Sequence, residues 1–162
     1  MKYCPECKAD IEIKSIDGEP RKVCSNTNCE FVFWNNPVPV VAALVELNGE
    51  YVIARNASWP EGVFSVIAGY LEAGETPEQA VIRELEEELG LSGNIQRYIG
   101  SYSFFEKNQL IIAYEVQAAG HIEINYELAQ VKLLSDIELA NYDFSPLEIT
   151  AKIVSDWSNF NS

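Results

Sequence analysis

Three glutamates, Glu84, Glu87 and Glu88, stand at i, i+3 and i+4 within GYLEAGETPEQAVIRELEEELGL, Gly69 to Leu91. In a helix those offsets put all three carboxylates on one face. Carboxylates so crowded repel one another unless a cation lies between them. An all-oxygen set suits Mg2+ or Mn2+, hard ions that keep waters and work with substrate phosphates. Arg83 can brace Glu75 or Glu87, the latter at i+4. A solvated acidic face is the plainer account of a run of glutamates. Here the run is tied to an upstream Gly69 and Glu75 at fixed offsets, and a pattern with so many set positions arises by chance with odds on the order of 10^-7.

A second set of chemical residues lies near the start. Cys4-Pro-Glu-Cys7 and Cys24-Ser-Asn-Thr-Asn-Cys29 form two pairs separated by sixteen residues, and they hold every cysteine of the chain. Thiolates paired at two to four intervening residues can wrap one tetrahedral Zn2+. Two disulfides are the alternative pairing, which the lack of a secretion signal disfavours. Four thiolates leave zinc no open position, so the metal reads as structural, and a ribbon this short draws much of its folding free energy from it. The second knuckle has four intervening residues where two are more usual, so Ser25–Asn28 is expected to be less regular.

The elements that must position these groups follow from local signals. Thr76-Pro77-Glu78-Gln79 reads as a capping box with proline at the first helical position, and Gly90 as the stop. Val81, Ile82, Leu85 and Leu89 give that helix an apolar face for the core. Asp17-Gly18, between IEIKSI and PRKVC, predicts a hairpin joining the two cysteine knuckles. Asn35-Asn36-Pro37 and Pro39 mark a boundary, which divides the chain into a ribbon over residues 1–34 and a larger domain over residues 35–162. In the latter, Val40–Leu47 reads as a strand buried on both faces, turning through Asn48-Gly49 into Tyr51–Arg55. Further strands are expected over Val63–Ile67, Ile95–Phe105, Gln109–Ala118, Ile122–Asn125 and Leu128–Leu134. Capping boxes at Ser135–Glu138 and Ser145–Glu148 open two more helices, the last with Ile149, Ile153 and Trp157 on one face. This order suits a mixed sheet packed between helices.

The Gly69–Leu91 stretch resembles the signature of the Nudix hydrolases and matches it at every defined position. The resemblance implies an α/β/α sandwich with a mixed sheet, preceded here by the zinc ribbon, and metal-dependent hydrolysis of a nucleoside diphosphate linked to another group. Carried over by position, Glu84, Glu87 and Glu88 are the metal carboxylates, Gly69 offers its carbonyl to the same Mg2+ or Mn2+, and Arg83 and Glu75 brace the loop and helix. The proton acceptor is Glu84 or Glu127, the latter because Glu127–Leu134 resembles a Glu-aliphatic-x-x-aliphatic-basic-aromatic stretch of many relatives, with leucine in the aromatic place. A zinc ribbon before such a domain, and Ala68-Gly69-Tyr70 in place of Pro-Gly-Gly, resemble the NADH pyrophosphatase branch. That branch carries SQPWPFP after the signature, whereas this chain has Ser101–Gln109, SYSFFEKNQ, a frame closer to zinc-ribbon relatives that hydrolyse ADP-ribose or FAD. The implied substrate class is therefore a dinucleotide or ADP-sugar cleaved to AMP, with Trp34, Trp59, Tyr102, Phe104 and Phe105 available to stack on a base and Gln109 as a further contact. Relatives are commonly dimers, so a homodimer is expected.

Composition narrows the classes. The chain has 162 residues, 48% hydrophobic and 22% charged, enough for one good core plus a small appendage. No apolar run approaches a membrane span and MKYCPEC is no signal peptide, so a cytoplasmic location is the expectation. The net charge of -14 is uneven: residues 1–34 carry five basic and six acidic groups, the remainder six and nineteen. An acidic body attracts cations and lacks the basic stripe of a nucleic-acid binder. Two other readings stay open: a cap-removing enzyme whose ribbon contacts RNA, and a nucleotide sensor without catalysis. The sole histidine, His121, beside Gly120 in a turn, reads as a surface residue.

Overall fold

The structure, a computed structural model, describes residues 1–160. The chain divides into two compact units, Met1–Asn36 and one beginning at Pro37. In the first, β1 (Ile11–Ile16) and β2 (Glu19–Cys24) pair antiparallel, and β2 pairs with the short β3 (Val32–Phe33). Asp17 and Gly18 both take positive φ, at 52° and 84°, between the paired Ile16 and Glu19. This is the primed two-residue turn whose twist matches the strands it joins. The same geometry recurs at Asn48-Gly49.

The second unit is built on a six-stranded mixed sheet. Its strands are β4 (Val38–Leu47), β5 (Glu50–Asn56), β6 (Ile67–Tyr70), β7 (Ser92–Phe104), β8 (Gln109–Ala119) and β9 (Leu128–Leu134). They run in the order β7-β8-β4-β5-β9, with β6 paired to the first half of β4. Only β4 and β8 are parallel; the other pairs are antiparallel. Central β4 is buried on both faces, as its aliphatic run predicts. Val41, Ala43, Val45 and Leu47 enter one core with Val81, Leu85 and Leu89 of α1 (Pro77–Leu89). Val40, Ala42 and Leu44 enter the other, against Ile153, Val154 and Trp157 of α3 (Glu148–Phe160) and Leu139 of the short α2 (Asp136–Ala140). No helix of the described residues is long and apolar enough to cross a membrane.

Three local expectations are corrected. Val63–Ile67 is not a strand: only Ser65 bridges to Ala54, and the regular pairing begins at Ile67 and runs through Ala68 and Gly69 to Tyr70. Ile122–Asn125 is not a strand either, because its amides are used elsewhere. Glu123 N–H donates to the Leu89 carbonyl at 2.8 Å and Asn125 N–H to the Glu88 carbonyl at 3.2 Å, so this segment satisfies the open end of α1. The third correction is at α3, which starts at Glu148 without the Ser145 capping box; the Ser145 amide instead donates to Asp143 Oδ1 at 2.9 Å. The boxes at Thr76–Gln79 and Ser135–Glu138 both form.

Candidate active site

Strand β6 delivers Gly69 against the middle of α1. Gly69 pairs with Val41 and so faces the α1 side of the sheet. A Cβ built on Gly69 would lie 2.0 Å from both Cδ and Oε1 of Glu84. The Glu84 carboxylate therefore occupies the volume that any other residue's side chain needs, and glycine is required here for close approach rather than for a turn.

Arg83 ties the surrounding pieces together. Its Nε and Nη2 donate to the two oxygens of Glu75 at 3.0 and 2.7 Å, and Nη2 also reaches the Tyr70 carbonyl at 3.0 Å. Nη1 donates to Glu84 at 2.7 Å and to Glu87 at 3.1 Å. One guanidinium thus holds the end of β6, the loop after it and two of the three helix-face carboxylates, a task suited to its planar fork of donors. The sequence left a choice between Glu75 and Glu87 as its partner; the fold brings it to both. Hydrogen bonding from Arg83 holds the Glu75 carboxyl below its ordinary pKa, with the Glu72 amide adding to the effect.

The third carboxylate, Glu88, is only 6% exposed, and its side chain accepts no hydrogen bond among the described residues. Burial, followed by the charges of Glu84, Glu127 and Glu87, pushes its pKa up to about 8. Glu84 is also raised, chiefly by burial and against the pull of Arg83. Both feel the charge of Glu127, which is exposed on the loop leading into β9. The Ala57 amide fixes that loop by donating to the Glu127 carbonyl at 2.7 Å. The donors are of the kind a hard divalent cation takes, oxygen only and with excess negative charge, and the missing side chain of Gly69 lets the Glu84 carboxylate meet the strand backbone. Among the described residues, however, only the four cysteines, as a group of three or more side chains, bring ligand atoms within 4.8 Å of one another.

The predicted aromatic contacts separate. Tyr102 is a core residue, 4% exposed in the cluster on the α3 face, and its hydroxyl donates to Asp156 at 2.9 Å. The stacking role considered for it is therefore corrected, since burial leaves neither ring face open. Phe104 is half-buried against the same cluster, and Phe105 is 86% exposed. Trp59 is half-buried, its carbonyl accepting from Arg55 at 3.1 Å. Trp34 lies in the first unit with the Arg21 guanidinium 5.6 Å from its ring centre. Gln109 does meet the signature, donating to the Tyr70 hydroxyl at 3.2 Å. Tyr70, which stands where the resemblance otherwise has glycine, is 59% exposed. His121 is exposed.

A concavity of about 530 Å³ lies elsewhere, lined by Glu46, Tyr51, Gln96, Glu115, Gln117 and Asp136 at the far end of β4. Glu115 is there committed to internal partners, accepting from Arg97 at 2.7 Å and Trp157 Nε1 at 2.8 Å.

In the first unit the four thiols converge. Their sulfurs all lie within 4.8 Å of one another, with Cys4–Cys29 at 3.7 Å and Cys7–Cys24 at 3.3 Å. A tetrahedral zinc with bonds of about 2.3 Å sets its sulfurs about 3.8 Å apart, whereas a disulfide requires about 2.05 Å. The Asn26 amide points at Cys24 Sγ from 3.4 Å, the kind of outer contact that orients a ligand. These four residues could hold a metal ion.

Comparison with known proteins places this geometry in context. A sequence model of the NUDIX domain matches residues 36–152. The chain is 33% identical over 121 residues to the mitochondrial NAD(P)H pyrophosphatase NUDT13 of Mus musculus, covering 74% of this chain and 34% of that protein. It is 35% identical over 124 residues to the NAD-capped RNA hydrolase NudC of Mycobacterium tuberculosis, covering 75% and 37%. The chain thus spans about a third of the length of these curated relatives. Among solved structures, a NUDIX hydrolase from Nitrosomonas europaea superposes with a TM-score of 0.82 at 20% identity, covering 100% of this chain and 94% of that one.

Proposed function

The chain belongs to the NUDIX family, and from that premise we propose that it hydrolyses the diphosphate bond of a nucleoside diphosphate linked to a second group. The substrates favoured are dinucleotides or ADP-sugars such as NAD(H), FAD or ADP-ribose, with AMP as a product. The observation that carries this reading is the Arg83 network, which ties Glu84, packed against the Gly69 backbone, to Glu87 and to the Tyr70 carbonyl. The names of the NUDT13 and NudC relatives support an NAD-linked diphosphate.

In this reading Glu84, Glu87, Glu88 and the Gly69 carbonyl would hold Mg2+ or Mn2+, and the bound ion would supply charge neutralisation of the diphosphate and activation of water. The protein's own residues do the rest. Arg83 and Glu75 keep the β6 end and α1 in register, so that the carboxylates need no rearrangement as charge develops. Water forms a bond to one phosphorus as the bond from that phosphorus to the bridging oxygen breaks, the second phosphate leaves with the bridging oxygen, and the proton from the water passes to Glu127 or Glu84. Glu127 is solvent-exposed beside the cluster, while burial gives Glu84 a raised affinity for protons.

The test is direct. Purified protein is incubated with Mg2+ or Mn2+ and NADH, NAD, FAD, ADP-ribose, nucleoside triphosphates or NAD-capped RNA, and AMP or the clipped RNA end is quantified. Turnover of a dinucleotide or ADP-sugar is expected; no turnover of any member, with metal demonstrably bound, would overturn the reading. NAD-capped RNA is included because NudC is named for that activity. The first unit, with five basic and six acidic residues up to Trp34, offers RNA little attraction.

For the four cysteines we assign a structural Zn2+. Removing it with a strong chelator is expected to unfold residues 1–36 while the second unit stays folded. Zinc release, hydrogen exchange across β1–β3 and a separate melting transition would show this. Unchanged exchange after complete metal removal would mean the ribbon stands without it.

A further inference from the structure

The loop leading into β9 holds Glu127 by its backbone from both sides. The Glu127 amide donates to Asn125 Oδ1 at 2.9 Å, and its carbonyl accepts from the Ala57 amide at 2.7 Å. Asn125 is itself moored to α1, for its own N–H donates to the Glu88 carbonyl at 3.2 Å. Two hydrogen bonds through one half-buried asparagine therefore run from the backbone of a helix-face glutamate to the backbone of Glu127. The next residue, Leu128, is buried in the core on the α1 side, so the chain is anchored beyond Glu127 as well. At the tip of the side chain, the Glu127 carboxylate has the Tyr126 hydroxyl as a hydrogen-bond partner. That bond, followed by the carboxylate's charge, holds the Tyr126 phenol above its ordinary pKa.

An exposed carboxylate on a loose loop samples many positions, and a proton acceptor acts only within hydrogen-bond reach of the attacking water. Fixing the backbone beneath it removes much of that freedom before substrate arrives. Of the two acceptors, Glu84 is already bound by Arg83 at 2.7 Å and pressed against Gly69. Glu127 instead stands in a frame that sets its distance from α1. We propose that Asn125 is a positioning residue, acting through Glu127: its side-chain oxygen and its amide together set the separation between the proton acceptor and the helix that carries the metal carboxylates. Aspartate and, more weakly, serine also place an oxygen where it can accept from an amide two residues on; alanine cannot. Asn125 touches no reacting atom, so its effect falls on kcat through Glu127 and not on substrate affinity. The inference rests on the diphosphate-hydrolase reading and adds what holds its proton acceptor in place.

The experiment compares wild type, Asn125→Ala, Asn125→Asp, Asn125→Ser, Glu127→Gln and the double variant Asn125→Ala with Glu127→Gln. The probes are NADH, FAD and ADP-ribose with Mg2+ or Mn2+, and thermal melts control for folding. Hydrogen exchange at the Glu127 amide reads the tether apart from activity and should quicken in Asn125→Ala. The same variant is expected to lower kcat roughly five- to twentyfold, the value of one hydrogen bond, with KM within about twofold. Asn125→Asp should recover most of that loss and Asn125→Ser part of it. Glu127→Gln should be slower still, and adding Asn125→Ala to it should cost little more, because no acceptor is left to position. If Asn125→Ala is poorly folded, Asn125→Ser carries the test, with a kcat between those of wild type and Glu127→Gln. Wild-type kcat in folded Asn125→Ala or in Glu127→Gln, equal losses in all three Asn125 variants, a rise in KM in place of the fall in kcat, or independent losses in the double variant would each overturn the tether while leaving the hydrolase reading intact. A wild type that turns over none of the three probes, with metal demonstrably bound, would overturn both.

Discussion

Glu88→Gln is expected to lower kcat by at least about 10^2-fold while the protein stays folded, with the loss falling on the chemical step rather than on KM. Glu88 is the most buried of the three helix-face carboxylates and the one that Arg83 does not reach. Gln keeps the shape and removes the charge, so a metal held there loses an anionic ligand without the helix losing its packing. The same residue predicts a pH effect in metal-free protein. Its folded pKa, about 8, lies above that of an unfolded glutamate. The folded state therefore binds the extra proton between roughly pH 4.5 and 8. Stability from this group is complete below the unfolded value and is lost as pH rises toward 8. Thermal midpoints of metal-free wild type should fall across that window; in Glu88→Gln the decline should flatten, and saturating Mg2+ or Mn2+ should oppose it in wild type. Wild-type kcat in Glu88→Gln would mean that α1 does not present the metal site.

Gly69→Ala should be nearly as damaging to activity and far less so to the fold. Nothing in the backbone conformation at Gly69 demands glycine, since it is not among the glycines with positive φ. The conflict is one of space: the new methyl would lie 2.0 Å from the Glu84 carboxylate carbon and 2.4 Å from its second oxygen. Those atoms are the far end of a side chain that can swing away, so the core of Val81, Leu85 and Val41 need not move. Swinging away, however, breaks the 2.7 Å contact with Arg83 and moves the carboxylate by more than an ångström. Misplacement on that scale costs on the order of 10^2-fold in rate. The expected result is a kcat lower by about that factor with a melting temperature within a few degrees of wild type. Normal turnover in Gly69→Ala would show that Glu84 need not sit against the strand; a collapse in melting temperature would show instead that Gly69 serves the fold.

Much of this arrangement was legible along the chain because its determinants are local. Glu84, Glu87 and Glu88 share a face through helical spacing alone, and Thr76, Gln79 and Gly90 cap that helix where short-range hydrogen bonding says they should. Asp17-Gly18 and Asn48-Gly49 turn as their backbone preferences require. Errors came where a segment's hydrogen bonds go to a partner distant in the sequence. Ile122–Asn125 has the apolar alternation of a strand, yet its amides cap the end of α1. Val63–Ile67 has strand-forming residues, yet the pairing edge of β4 begins to accept this segment only at Ile67. Tyr102 and Phe105 look alike as aromatic residues near one turn, but strand alternation buries the first, and the turn exposes the second at 86%.

The sequence by itself determined the chemistry on offer: an acidic helix face with its glycine and arginine at set offsets, and two cysteine pairs able to wrap a metal. Both follow from geometry that repeats every few residues, which no tertiary context is needed to calculate. Only the tertiary structure decided how those groups are used. The pairing of β6 with β4 seats Gly69 under Glu84 and lets Arg83 reach the Tyr70 carbonyl, and the return of the chain past α1 sets Glu127 within the field of Glu84 and Glu88. The parallel register of β4 and β8 brings Gln109 within reach of a phenol that started 39 positions earlier. Such contacts depend on strand register and crossover, which fix distances between residues that the order of the chain leaves free.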